Sequence, residues 1–458
     1  MDNDKKAIII ALIAAVLLIA PTIIRMLNHD PYMPNSDAYH NTRIYSHESF
    51  NYDSLQARSI EVNIINLIPH SWSGANGYLL FNIIPILLGM ASVYLMYLVL
   101  KKHNISEKTV FAVLLLMIFS PIFIYVFTDF KIYSFIIFLN ILGVYLLGEK
   151  NILYSSIAFG IIPFIDLYSG IITIAMLSLY YFSNEKKNEA YFTTGMVMLT
   201  AILISIVINL YFGYNVLHIF RFESQNFITD IGADIGFSFS ILILAAIGLV
   251  MLWENGLKNI MIYIMLILLI AISFFNAPLR IYINFILVIY AGFALIYLNK
   301  RKWSIAIIKK TTVLLIICSI LFSTLVYATR LVKSEPDSQM VDALQFVKQQ
   351  SLPTETIMSL PKYGYIIEYY ANRQAFIDTD TSYYDSWREE IYENITTSRN
   401  LDRTQKALEE YNIRYFVVDK DFQSYLNEKE GLLFLIENSQ KFINIYNSTD
   451  VQVWMYTG

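Results

Sequence analysis

Apolar runs of about twenty residues recur through the first 330 positions, and this feature limits the possible folds more than any other. A helix of that length crosses the hydrocarbon core of a bilayer. The composition agrees, because 56% of the residues are hydrophobic and only 15% are charged, whereas soluble domains carry about 25% charged residues. The sequence therefore predicts a polytopic α-helical membrane protein.

About eleven segments have the length and apolarity expected of a span. The first, Ala7 to Ile24, is longer than the apolar core of a signal peptide, so we expect it to be retained. Two short candidates meet at Asp166, where the division into spans is least distinct. The predicted spans are 7–27, 78–100, 108–126, 132–147, 152–165, 168–183, 190–212, 236–253, 259–275, 281–297 and 311–329.

Lysine-rich segments fall at alternate ends of these spans, which the positive-inside rule assigns to the cytoplasm. This pattern predicts a multi-pass protein of the cell membrane with a cytoplasmic N-terminus. The loops 28–77 and 213–235 and the C-terminal part are then external. The basic residues concerned are Lys5, Lys6, Lys101, Lys102, Lys150, Lys186, Lys187, Lys258, the NKRKW cluster, Lys309 and Lys310.

The composition changes after Lys333, which divides the chain into a transmembrane domain, 1–333, and an external soluble α/β domain, 334–458. Val341, Leu344 and Val347 share one face of a predicted amphipathic helix. Short apolar segments, TIMSL, AFID and RYFVVDKD, predict strands, and LDRTQKALEEYN predicts a further helix.

Several enzyme motifs are missing from the sequence, including a P-loop, GxGxxG, HExxH and GxSxG. The single cysteine, Cys318, excludes an intrachain disulfide, and no external basic stripe indicates nucleic acid. Acidic and arginine side chains remain on the predicted external loops. Carboxylates are ligands for Mg²⁺ or Mn²⁺, and arginine binds phosphate, so the pattern suits a lipid-phosphate substrate.

The run Asp37-Ala38-Tyr39-His40-Asn41-Thr42-Arg43, directly after the first span, resembles the first external loop of the catalytic subunit of archaeal oligosaccharyltransferases. Ser120-Pro121 and Phe127-Thr128-Asp129-Phe130 resemble the second external loop of that family. Phe222-Glu223-Ser224-Gln225 occupies the fifth-loop position, and Ala277-Pro278-Leu279-Arg280 resembles the start of a late helix. Residues 343–378, with Tyr363-Gly364-Tyr365, resemble the start of its soluble domain.

This resemblance implies a GT-C type fold and a role for each matching residue. Asp37 and Asp129 would be catalytic residues and ligands of Mg²⁺ or Mn²⁺, with Asp37 as metal ligand or base. The implied substrate-binding residues are His40, Arg43, Glu223, Arg280, which would contact the lipid phosphate, and Tyr363. The implied partners are a lipid-linked sugar donor, membrane lipids and a protein or glycan acceptor.

Two positions depart from the family pattern. Lys131 stands where a second acid is expected, and Leu360-Pro361-Lys362 replaces the Trp-Trp-Asp of the Trp-Trp-Asp-Tyr-Gly motif, which reads the sequon hydroxyl. Both departures favour the alternative of a non-catalytic relative that acts as a scaffold or binds glycolipid.

The main prediction is a membrane glycosyltransferase that moves a sugar or oligosaccharide from a polyprenyl-phosphate-type donor to an acceptor on the external face. A transporter is disfavoured because duplicated halves and broken helices are not evident. Contact with lipid headgroups or loop packing remains an alternative role for His40 and Arg43, and helix capping remains one for Asp166.

Overall fold

The computed structural model describes residues 3–46, 75–183, 189–211, 227–233, 235–251, 260–379, 386–426 and 431–458. These residues form two compact units. The first contains residues 3–21 and the described residues from 75 to 332. The second contains residues 22–46 and the described residues from 333 to 458, so it includes the segment directly after the first predicted span.

Helices account for nearly all of the first unit, and each predicted span coincides with a helix or, in one case, with two. In chain order, with α2 belonging to the second unit, they are α1 (Asn3–Leu27), α2 (Ser36–Ser46), α3 (Ala75–Lys102), α4 (Glu107–Ile118), α5 (Pro121–Thr128), α6 (Ile132–Gly148), α7 (Ile152–Ile165), α8 (Leu167–Ser183), α9 (Glu189–Tyr211), α10 (Phe239–Met251), α11 (Ile260–Ser273), α12 (Ala277–Lys300) and α13 (Ala306–Val332).

The helices differ in whether they are long enough to cross a membrane. Within the described ranges, five are long and apolar enough to span, or six if α4 and α5 form one bent span. The others include α6, α7 and α10, which are 17, 14 and 13 residues long. At 1.5 Å per residue these reach only about 20–26 Å, short of a hydrocarbon core of about 30 Å. The multi-pass architecture is confirmed, whereas the number of eleven spans stays a prediction.

The predicted span 108–126 contains a sharp bend, where α4 and α5 meet at an angle of 61°. Pro121 begins α5 and has no N–H to continue the helical hydrogen bonds. The polar groups at the break find partners on distant helices. Thr324 Oγ1 donates to the carbonyl of Phe119 at 2.6 Å, and Ser120 Oγ donates to Asn284 Oδ1 at 2.9 Å. A broken helix is therefore present, contrary to the expectation used against a transporter.

The second unit carries an α/β domain, as predicted. Its remaining elements are α14 (Ser338–Gln350), β1 (Thr356–Met358), α15 (Gly364–Tyr370), α16 (Ser386–Thr397), α17 (Leu401–Glu410), β2 (Ile413–Asp419), α18 (Lys420–Tyr425), α19 (Gly431–Asn438), β3 (Phe442–Asn447) and β4 (Val451–Tyr456). The strands form one sheet in the order β1-β2-β4-β3, with β1 parallel to β2 and the other pairs antiparallel.

The predicted amphipathic helix is confirmed in α14, where Val341, Leu344 and Val347 are buried. The prediction of a strand at AFID is wrong. Its backbone makes a single parallel bridge, between Ala375 and Ile357 in the middle of β1. Ala375, Phe376 and Ile377 are buried, which explains why this segment is apolar without being a strand.

Buried hydrogen bonds connect the two chain segments of the second unit. The guanidinium of Arg25 is 1% exposed and donates to the carbonyls of Tyr32, Ser334 and Pro336. Asp30 Oδ1 accepts the backbone N–H of Ser338 at 2.8 Å, at the start of α14. These contacts fasten the segment that follows the first span to the start of the α/β domain.

Candidate functional site

The turn between α5 and α6 contains a buried ion pair. Asp129 and Lys131 are 1% and 2% exposed. Lys131 Nζ donates to Asp129 Oδ2 at 3.1 Å and to the carbonyl of Tyr125 at 2.9 Å, and it lies 4.0 Å from the centre of the Tyr125 ring. The helix α5 is buried along its whole length, which holds this turn in place.

This pairing limits what Asp129 can bind. A divalent ion ligated by the same carboxylate oxygen, at about 2.1 Å, would lie no more than about 5 Å from the lysine ammonium. At an effective dielectric constant of 20 the repulsion would be roughly 6 kcal/mol. The ammonium of Lys131 therefore opposes the binding of a divalent cation at Asp129. Within the described ranges, no group of three or more His, Cys, Asp and Glu side chains is arranged to hold a metal.

Arg280 lies in the first turn of α12, one residue before the predicted span 281–297. Asn276 begins this helix as its N-cap, and its Oδ1 accepts the N–H of Leu279 at 3.0 Å. The guanidinium of Arg280 is fully buried and donates to the carbonyls of Ser273, Ile235 and Phe274 at 2.7, 2.7 and 3.1 Å. These bonds fix the orientation of a positive charge inside the first unit.

A second arginine holds the same loop from another helix. Arg330, near the end of α13, donates to the carbonyls of Ala233 and Thr229 at 3.0 and 2.8 Å. Asp230 Oδ2 accepts the N–H of Phe239 at 2.9 Å, at the start of α10. Residues 227–237, apart from residue 234, are thus fixed through their backbone. Glu223, a predicted substrate-binding residue, lies outside the described residues.

Asp166 caps a helix. Its Oδ2 accepts the backbone N–H of Ser169 at 2.9 Å and also accepts the Ser169 hydroxyl, in the first turn of α8. The residue also marks the boundary between α7 and α8, the two spans that the charge pattern separated. The capping alternative is therefore confirmed for Asp166.

The run Ser36 to Arg43 forms the first two turns of α2, although the sequence placed it in a loop. Tyr39, His40 and Arg43 are buried, and a helical period of 3.6 places them on one face. His40 lies 4.3 Å from Tyr365 between ring centres, and Arg43 forms an ion pair with Glu368. This face packs on α15. Asp37 lies in the first turn of α2, and its side chain is not among those described.

The segment Leu360 to Gly364 makes its side-chain contacts within the α/β domain. Tyr363 is 1% exposed and its hydroxyl donates to Asp419 Oδ2 at 2.5 Å. Burial, and then the Asp419 carboxylate, raise the pKa of Tyr363 far above its usual value. Lys362 is exposed, pairs with Asp421 and lies 4.7 Å from the centre of the Tyr363 ring. Lys362 therefore has an acidic partner in its own domain.

Gly364 begins α15 where the chain approaches another segment closely. A Cβ at this position would lie 2.6 Å from Asp378 Cα and 2.8 Å from the carbonyl oxygen of Ile377. Real Cβ atoms are essentially never found that near to backbone. Only glycine fits here without a shift of the backbone, which gives a structural reason for the Tyr-Gly pair.

Sequence reasoning missed two acidic residues, Glu368 and Glu335. Glu368 lies within the apolar stretch GYIIEYY, and an isolated acid in such a run is a signal for a buried ion pair. Glu335 lies between the last helix of the first unit and α14, and burial followed by the nearby Asp337 raises its pKa to about 7. No local pattern in the sequence marks Glu335.

No protein-family model and no curated protein sequence matches the chain. Solved structures do match. The archaeal oligosaccharyltransferase AglB from Archaeoglobus fulgidus, in complex with an inhibitory peptide and a dolichol-phosphate, has a TM-score of 0.65 and 12% identity. The match covers 91% of this chain and 70% of that one. A complex of the A. fulgidus oligosaccharyltransferase with Zn and sulfate has a TM-score of 0.57 and 13% identity, over 97% and 72% of the two chains.

A second kind of protein matches over nearly its whole length. ArnT from Cupriavidus metallidurans, bound to undecaprenyl phosphate, has a TM-score of 0.50 and 10% identity, and the match covers 98% of this chain and 97% of that one. Identities this low establish the fold alone. The chain therefore has the GT-C type membrane fold that the sequence predicts, with a C-terminal α/β domain.

Proposed function

We propose that the protein is a membrane glycosyltransferase that transfers a sugar or oligosaccharide from a polyprenyl-phosphate-type donor to an acceptor. One observation carries this proposal. The fold matches two proteins over at least nine tenths of the chain, and each was solved with a polyprenyl phosphate, dolichol-phosphate in AglB and undecaprenyl phosphate in ArnT. A donor of this chemical class suits a site built within a membrane domain.

The proposed chemistry is a displacement at the anomeric carbon of the sugar. The bond between that carbon and the phosphate oxygen breaks, a bond to the acceptor nucleophile forms, and the lipid phosphate leaves with the electron pair. Asp37 accepts the proton of the acceptor as general base. The fixed charge of Arg280 stabilises the negative charge that grows on the leaving phosphate.

A divalent cation is a further candidate component, since one structure of the A. fulgidus enzyme holds Zn and sulfate. Such an ion would neutralise charge on a leaving phosphate. The Asp129 carboxylate is already paired with Lys131, which opposes such an ion. Asp37 stays a proposed ligand of that ion, beside its proposed role as base.

The alternative of a non-catalytic scaffold is not favoured by these comparisons, because the matching proteins include an oligosaccharyltransferase. His40 and Arg43 remain proposed as residues that support the site. Their contacts with α15 point to positioning of α2, the helix that carries Asp37, rather than to contact with substrate. Glu223 and Tyr363 remain predicted substrate-binding residues.

We also propose that the N-terminus is cytoplasmic and that the α/β domain is external, from the lysine pattern. Single cysteines introduced at Ser304 and Ser382 in a Cys318→Ser background test this orientation in intact cells. A membrane-impermeant maleimide is expected to label the cysteine at 382 and not the one at 304. Labelling at 304 alone would reverse the topology.

Donor binding tests the function directly. Purified protein in detergent is titrated with undecaprenyl phosphate and with undecaprenol, which lacks the phosphate, while the unfolding temperature is recorded. We expect stabilisation by the phosphate only, and a loss of affinity of about tenfold or more in Arg280→Met. Arg330→Met is the matched control, because Arg330 also donates to backbone carbonyls of the 227–237 loop. Equal stabilisation by phosphate and alcohol would overturn the proposed donor class.

The transfer step needs its own measurement. Release of undecaprenyl or dolichyl phosphate from an extracted pool of lipid-linked sugars is expected with the wild type. Asp37→Asn is expected to abolish that release while keeping the phosphate-dependent stabilisation. Release at the wild-type rate from Asp37→Asn would remove Asp37 from the catalytic role.

A further inference from the structure

We propose that Lys131 provides, within the chain itself, the positive charge that a divalent cation would provide at Asp129, so that Asp129 is not a metal ligand. The inference rests on the proposed function only in assigning this turn to the donor site. It replaces the sequence-based prediction that Asp37 and Asp129 share one ion. Asp129 becomes a positioning residue that holds the Lys131 ammonium.

The contacts of the ammonium group support this assignment. A lysine ammonium has three N–H donors and no acceptor. Lys131 directs them toward the Asp129 carboxylate, the Tyr125 carbonyl and the face of the Tyr125 ring. All three contacts stabilise a cation. The Lys131 ammonium is therefore held at a defined position.

The local backbone explains why the pair forms. Asp129 and Lys131 are both extended, with φ and ψ of −121° and 166° for Asp129 and −117° and 147° for Lys131. Residues two apart in an extended chain project to the same side. Phe130, between them, is 2% exposed and packs edge-on against Phe135 at 5.5 Å between ring centres. The acid-x-lysine spacing thus brings the two charges together.

Burial makes this pairing exclusive. Water has almost no access to either side chain, so it does not screen the ammonium from a second cation. A metal ion would have to displace the lysine from its carboxylate and leave the ammonium buried beside a divalent charge. The turn therefore disfavours a divalent cation at Asp129.

Binding of Mn²⁺, followed by electron paramagnetic resonance on the full-length protein in detergent, tests the inference without donor or acceptor. Five proteins are compared: wild type, Asp129→Asn, Lys131→Gln, the double variant of these two, and Asp37→Asn. Elution from a sizing column establishes that each is folded. Glutamine keeps an N–H donor toward Asp129 and removes the charge.

The expected result is that Asp129→Asn binds Mn²⁺ with the same affinity as the wild type. Lys131→Gln is expected to gain affinity of about tenfold or more, and the double variant is expected to lose that gain. If Asp37→Asn loses affinity for Mn²⁺ while Asp129→Asn does not, the result agrees with the inference. The ion would then be bound by Asp37 and not by Asp129.

Two results would overturn it. The first is an Asp129→Asn variant that binds Mn²⁺ about tenfold or more weakly than the wild type. The second is a folded Lys131→Gln variant without any gain, since the ammonium would then not be the group that excludes the ion. If Lys131→Gln does not fold, the Mn²⁺ affinities of the wild type and of Asp129→Asn are sufficient to test the inference. The proposed function is tested separately by donor binding and transfer.

Discussion

Replacing Glu368 with glutamine leaves the guanidinium of Arg43 buried without this carboxylate. The two side chains are 1% and 0% exposed, so solvent does not screen their charges. A unit pair about 4 Å apart at an effective dielectric constant of 20 interacts by about 4 kcal/mol, and removing one partner of a buried pair costs about 3–5 kcal/mol. Glutamine retains one acceptor oxygen, so we expect about 3 kcal/mol for Glu368→Gln and more for Arg43→Met.

The replacement of both residues separates a charge effect from a packing effect. Arg43→Met with Glu368→Met removes both buried charges and keeps apolar volume between α2 and α15. Such replacements of a buried pair are often neutral or stabilising. We therefore expect the double variant to be more stable than either single variant. The control is Lys420→Met, which breaks an exposed pair with Asp450 and is expected to cost no more than about 1 kcal/mol.

Thermal unfolding followed by tryptophan fluorescence measures these differences, because Trp387 and Trp454 lie in the second unit. For a unit of about 150 residues, a loss of 3–5 kcal/mol lowers Tm by roughly 6–20 °C. The reasoning would be refuted if Glu368→Gln unfolded at the temperature of the Lys420→Met control. It would also be refuted if the double variant lost as much as the two single variants together. Either result would mean that Arg43 does not stabilise this unit, and its predicted role in substrate binding would then be favoured.

Three further predictions concern the second unit. Because burial raises the pKa of Glu335 to about 7 from 4.5, ionising this carboxyl makes the fold less stable as the pH rises from 4.5 to 7. Glu335→Gln is expected to raise Tm at pH 8, by an effect worth about 1–2 kcal/mol after allowance for solvent, and not at pH 4.5; equal effects at both pH values, or the same gain in exposed Glu437→Gln, would contradict this. Gly364→Ala is expected to cost about 1–3 kcal/mol, measured as a lower Tm, because its Cβ would lie 2.8 Å from the carbonyl oxygen of Ile377; an unchanged Tm would show that the backbone yields freely. In a transfer assay with paired peptides, we expect no preference for Asn-x-Ser/Thr over Asn-x-Ala, because Lys362 carries donors only and cannot accept a hydroxyl hydrogen; clear sequon dependence would contradict it.

The membrane helices were predictable because apolar runs and lysine positions are local properties. The division at Asp166 followed from the side on which the lysines fall, and it is confirmed by the boundary between α7 and α8. The break before Pro121 was not predicted, although a proline was visible there. Its stability depends on Thr324, which is 205 residues away in sequence, and such a partner leaves no local signal.

The candidate site was predictable in part for the same reason. The run at Asp37 was recognised by its residues and its position, but its helical conformation was missed. Arg43 and Glu368 are 325 residues apart, so neither residue reveals the pairing alone. The Asp129–Lys131 pair, in contrast, needs only a two-residue spacing, and sequence reasoning read Lys131 as a lost acid. The strands β3 (FINIYN) and β4 (VQVWMY) are rich in β-branched and aromatic residues, a readable signal that was not used.

The hydrogen bonds from Arg25 to the carbonyls of Ser334 and Pro336 have a consequence for synthesis of the chain. Arg25, Asp30 and Arg43 leave the ribosome about 310–325 residues before these partners. At about 5–20 residues per second this delay lasts roughly 15–60 s. During that time all later membrane helices are inserted, while the face of α2 that carries Tyr39 lacks its partner α15. A nascent chain that stalls before residue 334 therefore presents this face to chaperones and proteases on its side of the membrane.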